Sequence, residues 1–144
     1  MSDDRRSMRK RFVLVWEKMQ ARTPLEPLEA VIAEVIEAHP EYQPLLGRGD
    51  AALDDEWTPE RGETNPFLHL GLHVAIREQI AADRPTGVKD AYRALCRHTG
   101  DTLAAEHRMI ECLATALWEA GRSGAAPDEA AYLDCLWQNA SRHN

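Results

Sequence analysis

Two histidines one helical turn apart, His69 and His73, interrupt the otherwise apolar run NPFLHLGLHVAIREQI at residues 65–80. Side chains at i and i+4 share one face of a helix, so both rings can reach a single ion. Other groups with metal-ligand chemistry fall on core-facing positions elsewhere. His39 lies at the centre of the stripe Leu28, Val31, Ile32, Val35 and Ile36. Glu106 projects at the same angle as Leu113 and Leu117, and His107, with Glu111 one turn beyond, lies at the edge of that face. An unpaired buried polar group costs about 1–3 kcal/mol, so each of these needs a partner. An inward carboxylate either keeps its proton or meets a cation. Imidazole nitrogens with one carboxylate suit zinc, iron, nickel or manganese. Glu106 and Glu111 then either bind the ion or accept an imidazole N–H. The alternative is a hydrogen-bonded core network inside a non-catalytic structural or protein-interaction module.

Helices must position these groups. Asn65 and Pro66 read as N-cap and first residue of a central helix over 65–82, which pins its phase. Leu68, Leu72, Ala75, Ile76 and Ile80 form one apolar arc, with Phe67, Leu70, Val74 and Ala81 opposite. Such all-round apolarity predicts a buried helix. Periodicity predicts further helices over about 4–21, 27–39, 87–98, 101–121 and 127–139. Inward positions include Phe12, Val15, Trp16 and Met19 in the first, Val88, Ala91, Tyr92 and Leu95 in the fourth, and Tyr132, Leu133, Leu136 and Trp137 in the last. In the 101–121 helix, Leu103, Met109, Ile110, Leu113 and Leu117 face inward, with Trp118 alongside. Residues 40–64, with three prolines, three glycines and an acidic run, read as one long loop. Its 47–64 part immediately precedes the histidine-bearing helix and is positioned to cover a site. No strand alternation, repeat or low-complexity tract appears. The fold class is all-α: a single domain over 1–144, a bundle of five or six helices.

Composition narrows the function classes. Charged residues at 28% and hydrophobic residues at 44% are ordinary for a globular chain. No apolar run reaches the roughly 18–20 residues of a membrane span, and the basic N-terminus lacks a secretory h-region. Net charge is −7, but residues 1–22 carry seven basic against three acidic side chains. The cluster Arg5, Arg6, Arg9, Lys10 and Arg11 reads as a solvated helix start or a strap on the protein's own acidic surface. An acidic body without aromatic interleaving argues against nucleic acid. Self-association as a homodimer and an unknown small-molecule substrate stay open. Cys96, Cys112 and Cys135 form no CxxC pair and are odd in number, which predicts reduced thiols packed as small core residues in a cytoplasmic protein. ExxH, HExxH, CxxCH, GxSxG and glycine-rich phosphate loops are all missing.

The runs NPFLHLGLHVAIREQI and AEHRMIECLATALWEA, with the preceding EAHPEY segment, resemble a bacterial family known as domain of unknown function 1841. The resemblance covers nearly the whole chain and implies a small cytoplasmic protein with no established activity. More distantly, His39 with HxxxH is similar to the three-histidine set of DinB-type metal-binding bundles, which implies one ion on His39, His69 and His73. Adding HxxxE (His107, Glu111) gives a permuted, incomplete hemerythrin-like set, which implies two ions. The hemerythrin order differs, and its final His-containing motif is missing. The expectation is therefore a transition-metal site of unknown reaction. As an enzyme, it would use an ion with an open position that polarises a substrate oxygen or activates water.

Overall fold

The computed structural model describes residues 2–55, 57 and 65–141 of the 144. Among these the secondary structure is entirely helical, with seven α-helices: α1 (Ser2–Ala21), α2 (Pro27–Glu37), α3 (Gln43–Leu46), α4 (Pro66–Ala82), α5 (Val88–Thr99), α6 (Thr102–Ser123) and α7 (Glu129–Ala140). The all-α expectation holds, with α3 added to the six helices that periodicity predicts. The chain divides into two compact units, residues 1–74 and 75–144, and the boundary falls inside α4.

In the first unit α1 packs on α2, and α3 packs on α1. Phe12, Val13 and Val15 of α1 meet Ile32, Val35 and Ile36 of α2, together with Leu46, Leu53, Phe67 and Leu70. Burying each of the larger side chains contributes about 1.5–3 kcal/mol. Lys18 of α1 reaches Glu29 of α2 at 2.6 Å, and the Glu29 carboxylate accepts from the Glu26 amide at 2.9 Å, closing the α2 N-terminus. Residues 40–64 are not one long loop. Pro40–Tyr42 and Gly49–Ala52 form 3-10 turns on either side of α3. Prolines start the first two segments, and burial of Leu46, Ala52 and Leu53 holds them. Such turns carry too little periodicity to be read from a sequence. The covering role expected for 47–64 falls partly on residues 56 and 58–64, which lie outside the described residues.

The basic start of α1 works as the strap. Arg6 pairs with Asp54 at 2.6 Å, Lys10 lies 3.7 Å from Asp50, and the buried Arg9 donates to the carbonyls of Leu53 and Asp55. Arg9 also lies over the rings of Trp57 and Phe67, at 5.3 and 5.2 Å from their centroids.

In the second unit α5, α6 and α7 pack against one another. Asp83 caps the turn before α5, its carboxylate accepting from Gly87 and Lys89 amides. Asp101 and Asp128 cap α6 and α7 by accepting from Ala104 and Ala131. Gly100 and Gly124, at φ of 74° and 72°, close α5 and α6 in the left-handed conformation that glycine adopts without penalty. Val88, Ala91, Leu95, Met109, Ile110, Tyr132 and Leu136 are buried.

Two further expectations need correction. Leu68 (57% exposed), Leu117, Trp118 (62%) and Trp137 face outward despite their helical spacing. Spacing sorts the faces of a helix but does not say which apolar face is covered. The cysteines are not all reduced: Cys112 of α6 and Cys135 of α7 form a disulfide, leaving Cys96 as a free thiol. Their separation of 23 residues has no local signature, and only the pairing of α6 with α7 brings the Cα atoms to 5.9 Å.

Candidate metal centre

The first unit gathers three imidazoles from two elements far apart in the chain. Asn65 starts α4 as its spacing predicts: its side-chain oxygen accepts from the Leu68 amide at 3.2 Å. That phase turns His69 and His73 to the same side. His73 is fully buried and His69 half-buried. His39 is not part of α2, as the periodicity suggests, because Pro40 ends the helix two residues earlier. It occupies the joint into the first 3-10 turn, at φ −128° and ψ 66°, and is buried nonetheless.

The His39 ring is fixed at both nitrogens. Nδ1 lies 2.8 Å from the Val35 carbonyl. A carbonyl only accepts, so Nδ1 carries a proton, which in the neutral ring leaves the lone pair on Nε2. Nε2 faces His69 Nε2 at 3.0 Å. Ring nitrogens of His39, His69 and His73 lie within 4.8 Å of one another, and the His39 centroid is 4.8 and 5.0 Å from those of His69 and His73. Two nitrogens bound tetrahedrally to zinc, at about 2.0–2.1 Å each, are about 3.3 Å apart. A side-chain shift of a few tenths of an ångström opens the His39–His69 gap to that span.

Tyr42, a residue outside the sequence-based set, flanks the cluster. Its ring stacks on His39 at 5.4 Å and 5°, and meets His69 edge-on at 5.9 Å. Burial, and to a lesser degree the neighbouring Glu41, raises its phenol above the ordinary value, so it stays protonated. The HPEY spacing, which puts Tyr42 three residues after His39, is its one trace in the sequence.

The remaining expected ligands belong to α6 in the second unit. Glu106 is buried and meets a cation, one of the two fates open to an inward carboxylate: Arg77 Nε donates to one oxygen at 3.0 Å, and the Tyr92 hydroxyl to the other at 3.3 Å. Burial first, then contacts with Cys96 and Glu106, drives the Tyr92 pKa upward. His107 is half-buried, whereas Glu111 is exposed. Thus the structure brings His39, His69 and His73 together and gives Glu106 partners of its own. Neither Arg77 nor Tyr42 was legible as a site neighbour from spacing.

Residues 4–138 match the sequence profile of DUF1841, a domain of unknown function. The chain belongs to that family. No curated protein and no solved structure matches this DUF1841 chain. Among the described residues of this family member, no helix is long and apolar enough to cross a membrane.

Proposed function

We propose that this chain binds one divalent transition-metal ion through His39, His69 and His73, with a coordination position left for water or a substrate oxygen. The observation that carries the reading is the approach of three imidazoles, two of them Nε2 to Nε2 at 3.0 Å, from segments thirty residues apart in the chain. An all-imidazole set favours zinc, iron or nickel over manganese, which prefers carboxylate oxygen. The Val35 carbonyl would orient His39 from behind, as outer hydrogen bonds commonly do for histidine ligands. An ion with an open position would polarise a substrate oxygen or lower the pKa of bound water. The HxxxE spacing supports His107 as an extension of the ligand set, with Glu111 exposed one turn beyond.

One observation favours the second reading, a hydrogen-bonded core network. The 3.0 Å contact also suits a His69 Nε2–H donating to His39 Nε2. Elemental analysis of untagged protein from metal-replete culture separates the two, together with the His69→Ala/His73→Ala double variant. Metal binding predicts a stoichiometric ion lost in the variant, and a melting temperature that rises with added metal in wild type alone. A core network predicts no ion and the same melting-temperature loss with or without metal.

A further inference from the structure

The second unit holds a chemical group that the metal reading does not use, the Cys112–Cys135 disulfide between α6 and α7. It is not sealed in the core. Cys112 is buried, but Cys135 is half-exposed, and both line a surface groove of about 550 Å³. Small side chains, Ala116, Ala120 and Ala131, make much of the groove wall and leave room for an incoming thiol. Asn139, one turn after Cys135, directs its amide at the bond. Nδ2 donates to the Cys135 carbonyl at 2.9 Å and faces the sulfurs of Cys112 and Cys135 at 3.5 and 3.8 Å. An N–H aimed at a sulfur stabilises the thiolate that exchange creates, and a better leaving thiolate departs faster.

We propose that Cys112–Cys135 is a thiol–disulfide exchange site whose substrates are dithiols. A thiolate of the dithiol attacks the reachable Cys135 sulfur, forming a mixed disulfide and releasing Cys112 as a thiolate beside the Asn139 amide. The dithiol's second sulfur then attacks the mixed disulfide and releases Cys135. Two electrons pass from the dithiol, which leaves as a cyclic disulfide, and its two protons end on Cys112 and Cys135. Oxidised dithiol reverses the sequence. A dithiol resolves the mixed disulfide with its own second sulfur, a step that a monothiol such as glutathione completes only through a second molecule. Cys96 takes no part.

The test is alkylation and mass mapping of the full chain after timed exposure to dithiothreitol or to glutathione at equal thiol concentration. In native buffer dithiothreitol adds two alkylated cysteines, Cys112 and Cys135, with helical circular dichroism retained, and the oxidised dithiol removes them again. Glutathione, a monothiol, completes the reduction about tenfold more slowly because it has no second sulfur to resolve the mixed disulfide. Asn139→Ala slows native reduction about threefold and leaves the rate in denaturant unchanged. A bond reduced only after denaturant has unfolded the chain is a buried staple and overturns the proposal. So does an Asn139→Ala rate equal to wild type, or three alkylatable cysteines after exhaustive oxidation.

Discussion

Each unit buries polar groups, and they satisfy those groups in opposite ways. In the second unit Glu106 lies between unlike partners, a guanidinium at 3.0 Å and a phenol at 3.3 Å, so charge and donors are matched. In the first unit His39, His69 and His73 are three like bases around one point. A neutral imidazole offers one donor and one acceptor, and His39 spends its donor on the Val35 carbonyl. What remains there is a lone pair aimed at a second ring nitrogen. A matched ion pair already holds a cation of its own. A convergence of like bases is the arrangement that a cation completes. The comparison teaches that the chemistry of the neighbours, more than burial itself, separates a stability device from a candidate site.

Several substitutions break or sharpen this contrast. The largest effect belongs to His39→Ala and His73→Ala, each of which should weaken zinc affinity more than about a hundredfold by isothermal titration. Next comes Glu106→Gln. Stripping one partner from a buried ion pair costs about 3–5 kcal/mol, discounted here to about 2 because Arg77 is partly exposed. Urea unfolding should show that loss while metal stoichiometry stays constant; loss of the ion would make Glu106 a ligand and erase the distinction between the units. Tyr42→Ala should cost about 1 kcal/mol and weaken metal binding, whereas Tyr42→Phe, which keeps the stacked ring, should leave affinity near wild type.

A smaller effect appears at high pH. Burial raises the phenols of Tyr92 and Tyr132, the latter donating to Gln79 at 2.6 Å. The folded state therefore holds these protons more tightly than the unfolded chain. Their contribution to stability is complete below about pH 10 and declines as pH climbs from there toward the folded-state values. Tyrosinate absorbance should rise together with loss of helicity, and Tyr132→Phe should lessen the slope of stability against pH. Ionisation ahead of unfolding would show that the rings are more accessible than their burial implies. Smallest of all, Glu111→Gln, at an exposed position, should change neither metal content nor stability by more than about 0.5 kcal/mol.

Much of the helical scaffold was legible because its signals are local. Asn65 caps the helix it was expected to open, Asp101 and Asp128 cap α6 and α7 through the same short-range contact, and Gly100 and Gly124 stand at positive φ where helices stop. The HxxxH phase followed from the Asn65–Pro66 start. What escaped was set by tertiary packing. Tyr42 joins the histidines through a 3-10 turn that only its surroundings stabilise. The Cys112–Cys135 bond depends on how α6 and α7 pair, and Arg77 becomes visible as a partner only once Glu106 is placed. Trp118 and Leu117 share a periodic stripe with buried neighbours, yet nothing in the period marks them as uncovered.

The central claim meets its most direct test in a cobalt(II) titration of metal-free protein followed by visible absorption. Convergence of His39, His69 and His73 on one ion predicts saturation at one equivalent, with d–d bands of low-coordinate geometry that vanish in His39→Ala. A flat titration, or bands that His39→Ala leaves unchanged, would contradict it.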